Sequence, residues 1–226
     1  MNRHYAGTLT LTALVVLTGV GALRAQGIDT PDPVLPPLDG VYRTPDQVHA
    51  QFNGPGLTII LQKPEHQAIL RELNMPIGLD EKETFGSRLS AEVNVNGGPF
   101  VPATGNGPVM TLVHNKVGNT TGTFQTEMLS MDLSGNSPFG PFMIRESPTL
   151  PSLGQTTISP IGGGLYHIDS FFDVFTELSL DGGQTWMPDV QGPARVELGP
   201  SIPEPASIAL VALGLVVMVG GVRRRG

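Results

Sequence analysis

Phe85-Gly86-Ser87-Arg88-Leu89-Ser90-Ala91-Glu92-Val93-Asn94-Val95 is the stretch on which the fold turns. Phe85, Leu89, Ala91, Val93 and Val95 share one side of an extended chain, and Arg88, Ser90, Glu92 and Asn94 take the other. One apolar face with a period of two is a half-buried strand, closed here by Asn96-Gly97-Gly98-Pro99. Working outward, Leu57 to Leu61 is a β-branched apolar run between Asn53-Gly54-Pro55-Gly56 and Pro64. Further strand candidates are Val109 to Val117, Thr123 to Leu133, Phe142 to Glu146, Leu165 to Leu180, Thr185 to Met187 and Ala194 to Leu198, parted by glycine and proline clusters. No segment of the domain sustains an apolar 3.6-residue repeat over three turns, which disfavours α/β layers. The expected fold is mainly β, an antiparallel β-sandwich of jelly-roll-like or Ig-like kind over residues 41–200. Within it, Thr44-Pro45-Asp46-Gln47 is expected to cap a short helix over Val48 to Phe52, and Glu65 to Leu73 has modest helical character.

The ends differ in composition from this centre. Arg3 precedes an apolar, small-residue run from Ala6 to Leu23 that ends at Arg24-Ala25, the pattern of a secretory signal peptide over residues 1–25. Residues 26–40 hold four prolines among acids and turn formers, so an extended Pro-rich leader is expected there. The chain has no cysteine, which excludes a lipidated-cysteine anchor, a disulfide scaffold, thiol catalysis and zinc-thiolate sites. Setting aside Arg3, Arg24 and Arg223 to Arg225 from the 13 basic residues, and Glu204 from the 20 acidic ones, leaves a net charge near −11. That balance argues against a nucleic-acid partner.

At the far end, Ser201-Ile202-Pro203-Glu204-Pro205 must be extended, because prolines lack an amide donor and restrict the residue before them. Ala206 to Val222 is an uncharged run, expected as a transmembrane helix over 206–222, and Arg223, Arg224 and Arg225 follow it on the cytoplasmic side by the positive-inside bias. Pro203, Glu204 and Pro205, the apolar run and the arginine cluster, in that order, resemble the PEP-CTERM sorting signal over residues 201–226. The resemblance implies recognition by a membrane-embedded transpeptidase of the exosortase type. It further implies removal of the tail, and transfer of the domain to the cell surface or an exopolysaccharide matrix. Segments such as Gly122 to Met128, Arg145 to Pro148 and Asp169 to Glu177 also look like stretches shared by exported bacterial proteins bearing the same tail, a group that offers no activity to carry over.

Ser179-Leu180-Asp181-Gly182-Gly183-Gln184-Thr185-Trp186 resembles the Asp-box of sialidase-like propellers, where the motif is structural. The resemblance implies a hairpin in which Ser179 and Asp181 bond the turn, Gly183 supplies positive φ, Thr185 closes it and Trp186 packs beneath. Propellers carry several copies, whereas Ser130-Met131-Asp132 is only a fragment of a second. Asp169, Asp173, Glu177 and Asp181 share a parity that invites calcium, but acids four apart on a strand stand roughly 13 Å from one another. Asp80, Glu81 and Glu83 are expected in a charged loop. His49, His66, His114 and His167 form no metal-binding pair, so no metal site is expected. The expectation is therefore a non-enzymatic surface or matrix protein without a cofactor, with the membrane and exosortase as partners during sorting. A carbohydrate- or calcium-binding module stands as the alternative, and a secreted hydrolase after it.

Overall fold

A computed structural model describes residues 27–45 and 49–201. The chain runs through β1 (Ile28–Thr30), β2 (Gly40–Arg43), β3 (Ala50–Gly54), β4 (Leu57–Ile77), β5 (Asp80–Val95), β6 (Val101–Val113) and β7 (Gly122–Ser137). It continues through β8 (Gly140–Glu146), β9 (Ser152–Gly162), β10 (Leu165–Val174), β11 (Thr176–Ser179), β12 (Met187–Pro188) and β13 (Ala194–Pro200). Pairing is antiparallel throughout.

The expected sandwich is overturned: eight strands close into a barrel. Strand β9 is the closing element, because it pairs with β10 on one side and with β7 on the other. The circuit runs β10, β13, β2, β4, β5, β6, β7, β9 and back to β10. Gly154 of β9 sits where the three strands crowd: a Cβ there would lie 2.1 Å from the Phe171 carbonyl oxygen and 2.8 Å from Thr126 Oγ1. Closure gives every strand in the ring a neighbour on both sides, which an open sandwich does not do.

Two bulges shape what the long strands do next. Strand β7 buries Phe124, Thr126 and Met128, then changes phase and buries Met131 and Leu133, with Leu129 the exposed extra residue opposite the Met110/Thr111 register shift. Its first half pairs with β9 and its second half, from Asp132, with β8. On β4 the break falls at Lys63, whose φ is +49°, and Pro64; Leu57 to Leu61 pairs with β3, whereas Glu65 and His66 pair with β2. Strands β4 to β7 therefore serve a second circuit through β8, β11, β12 and β3. The circuit closes at the Phe52–Asp189 bridge, where Gln51 N–H donates to Asp189 Oδ1 at 3.0 Å.

The main core fills the shared region, with Phe52, Leu89 and Leu133 at or below 1% exposure. A second cluster around Ile158, Ile168 and Leu198 plugs the end where β1 lies. Several sequence expectations change. Of the residues expected to form a helix over Val48 to Phe52, Ala50 to Phe52 lie in β3 and Val48 lies outside the described residues, and Glu65 to Leu73 belongs to β4, a strand of 21 residues. The leader is built into the domain: Ile28–Thr30 pairs with β10, and Arg71 donates to Asp32 and to the Val34 and Pro36 carbonyls. No helix among the described residues is long and apolar enough to cross a membrane, so the expected spanning helix is not supported. That run, 206–222, and the expected signal peptide, 1–25, lie outside the described residues.

Candidate functional site

Inside the barrel, the inward parity of β5 runs through Val93, Ala91, Leu89, Ser87 and Phe85 and then presents Glu83, which is 2% exposed. Thr111 of β6, one strand over, donates its hydroxyl to Glu83 Oε2 at 3.1 Å, and Glu83 Oε1 has no protein partner. Burial pushes the Glu83 carboxyl up to about 8; Glu81 adds to the rise, while the Thr111 bond, Lys116 and Arg71 oppose it. Tyr42, His49 and His66 face the same chamber, together with Thr126 and Thr176, whose hydroxyl oxygens are also unpartnered. Burial lowers His49 to about 3, with His66 contributing, and lowers the more accessible His66 to about 4. At neutral pH the chamber thus holds two neutral imidazoles and a protonated acid. Its volume is about 60 Å³, room for water molecules, whereas ligand-enclosing pockets measure roughly 300–1,000 Å³.

The face that carries Glu83 was visible in the sequence as an extension of the Phe85 parity by one step, although the acid next to Asp80 and Glu81 suggested a loop. Nothing in the spacing of His49 and His66 links them; β3 and β4 bring their rings to 6.5 Å. At the opposite, β3-side end lies an apolar recess of about 250 Å³ among Phe52, Leu57, Val95, Phe139, Phe142 and Leu180, with no ionisable side chain in its wall.

The segment between β11 and β12 forms a compact loop around Asp181. Its Oδ1 accepts from the Gln184 and Thr185 amides at 3.0 and 2.9 Å and from Ser179 Oγ at 2.8 Å, and its Oδ2 accepts from Thr185 Oγ1 at 2.6 Å. These bonds, the Thr185 ones foremost, hold Asp181 at about 2. Gly183 has φ +87°, its N–H donates to Ser179 Oγ, and its carbonyl accepts from Trp186 Nε1. Trp186 is not in the core; it is half-buried outside the barrel, with the Arg145 guanidinium 3.9 Å from its ring centre.

The acids that share a parity do not converge. Asp173 is paired with Arg195 and Glu177 with Arg145, each through two guanidinium nitrogens, and Asp181 faces its own loop. Among the described residues no group of three or more His, Asp or Glu side chains could hold a metal ion. His114 and His167 stand instead beside Asp80 and Asp29, at 3.1 and 2.7 Å. Pro203, Glu204, Pro205, Arg223, Arg224 and Arg225 lie outside the described residues.

What known proteins add concerns that tail. The PEP-CTERM protein-sorting motif matches residues 201–225. That motif indicates an exported protein that is sorted by an exosortase and processed at the membrane for the cell surface. No curated protein and no solved structure matches it.

The chamber makes stability depend on pH in a way that can be checked. A carboxyl raised from 4.5 to about 8 contributes stability that is complete below its unfolded value and is lost as pH rises through the folded one. The histidines work oppositely, losing stability as pH falls below about 6.5. Glu146, raised by burial to about 7, shares the alkaline limb only up to that pH. The stability of wild type to urea should therefore weaken by about 1 kcal/mol from pH 7 to 8 on account of Glu83. Glu83→Gln, which keeps an acceptor for Thr111, should remove that fall; parallel wild-type and variant curves would contradict the assignment.

Proposed function

We propose that the barrel is a non-enzymatic module displayed on the cell surface or in an extracellular matrix by exosortase processing. The observation that carries this is adjacency: β13, the strand that completes the ring between β10 and β2, ends at Pro200, and the sorting motif begins at the next residue. The tail can therefore be removed without taking a strand from the barrel. The non-enzymatic part is supported by the size of the chamber, about 60 Å³, which has room for water rather than for an organic substrate.

The matrix partner that suits this module is an exopolysaccharide. On the outer face, Arg88, Thr104, Asn106, Ser134 and Asn136 surround a concavity of about 720 Å³ across β5, β6 and β7. Gly135 forms part of its floor, and a Cβ there would stand 2.2 Å from the Thr104 carbonyl oxygen. Amide, hydroxyl and guanidinium groups over a glycine floor offer donors and acceptors to a hydroxyl-rich chain. Calcium has less behind it, since the acids of shared parity are held by arginines or by their own loop.

Replacing Pro203, Glu204 and Pro205 with alanine should leave export intact and abolish tail removal, as read by intact mass of the protein from a host with an active exosortase. Loss of the tail at the wild-type rate would show an unrelated protease at work. The partner is tested separately: wild type should be retained on the host's exopolysaccharide and the Asn106→Ala/Asn136→Ala double variant should not, with both equally stable. Equal retention of the two would rule out this concavity.

A further inference from the structure

We propose that the end of the barrel from which the tail departs is a lipid-docking surface, which seats the domain on the bilayer while its tail is processed. This rests on the exosortase-sorting reading of the tail. Strands β4 and β13 run in the same direction, each antiparallel to β2: Glu197 pairs with Arg43, which pairs with Glu65, and Pro200 pairs with Gly40. By this side of the ring the chain leaves about level with Ala68, and by the other side, through Ile168, Ile158, Gly122 and Val113, about level with the β4–β5 turn, the offset being the stagger of a closed barrel. The tip of this hairpin therefore lies at the end from which the tail departs.

The end of this hairpin is apolar on its outside. Leu70 is 58% exposed, Leu73 53%, Met75 39%, Ile77 50% and Leu79, at the hairpin turn, 69%. Leu73, Met75 and Ile77 alternate along the strand and so share one face, together with Lys82 and Asp80, the cross-strand partners of Met75 and Ile77. Strand β4 pairs with β5 along this whole stretch; among the described residues its other edge has no strand partner beyond His66, and Arg71 and Asn74 there hold residues 32–36. Leu165, beside the β9–β10 turn, is 40% exposed, and the β10–β13 register places it at the same end.

A contiguous exposed apolar surface marks an interaction site, and its position selects the partner. The sorting motif begins immediately after the last strand, at this end, and processing by exosortase takes place at the membrane. A hairpin that turns five aliphatic side chains outward, with only Lys82 and Asp80 opposite them, offers the apolar face of a segment that lies in the headgroup and acyl boundary. The opposite end, with Phe139 at 54% exposure, points away.

The absence of cysteine makes the test clean. Full-length Leu79→Cys, Leu73→Cys and Phe139→Cys variants would carry a nitroxide and be mixed with phosphatidylethanolamine/phosphatidylglycerol vesicles. Collision with oxygen and with a water-soluble nickel chelate is then read by electron paramagnetic resonance. The proposal expects several-fold higher oxygen and lower nickel accessibility at positions 73 and 79 than at 139. Aqueous values at all three positions, in protein that floats with the vesicles, would overturn it. So would spin–spin broadening at position 79 without oxygen enrichment, which would mean a second copy covers the hairpin. Either result, with tail removal by exosortase-bearing membranes unchanged, would sink the docking surface and leave the sorting assignment standing.

Discussion

The pairing of β9 to both β7 and β10 is the constraint on which the rest depends. Were one of these ladders missing, the long β4–β7 ribbon would present backbone donors and acceptors without partners, and its inner face would open to water. With both made, the inner face becomes an interior, and a carboxyl such as Glu83 or an imidazole such as His49 is removed from solvent rather than lying on a sheet. The raised acid and lowered imidazoles are consequences of closure, not of any local motif.

Closure also had to be tight at one point. Thr156 Oγ1 lies 2.7 Å from Ser170 Oγ, which in turn accepts from the Tyr42 hydroxyl at 3.0 Å, so β9, β10 and β2 are joined through side chains as well as backbone. Near the seam only glycine fits at position 154. The bulges at Lys63–Pro64 and at Leu129 let the same four long strands be closed twice, once with β2, β13, β10 and β9, and once with β3, β12, β11 and β8.

The strands with an apolar inner face were legible: Phe85 to Val95, Leu57 to Leu61 and Ala194 to Leu198 all lie where their alternation places them. The strands that close the ring were not. The inward residues of β9 begin Ser152, Gly154 and Thr156 before Ile158, so its pattern of two is written in small and polar side chains, and hydrophobic periodicity does not register it. Strands β1 and β2 are short and lie in or beside the proline-rich stretch that composition marks as a leader. With those three unseen, a sandwich and a barrel present the same evidence, because both alternate and both are antiparallel. The sorting tail was legible because its information is linear: three residues, an uncharged run and an arginine cluster need no folded partner to be recognised. The interior chamber needs strands from all round the ring to meet, and of its polar groups only the acid was on a face the sequence displayed.

The central claim is closure, and cross-strand nuclear Overhauser effects at Thr156 test it most directly. The closed barrel predicts that the backbone of Thr156 shows contacts both to Ser170 of β10 and to Phe124 of β7 in the same molecule. A Thr156–Ser170 contact with none to Phe124 would mean an open sheet at this edge, and would contradict the account.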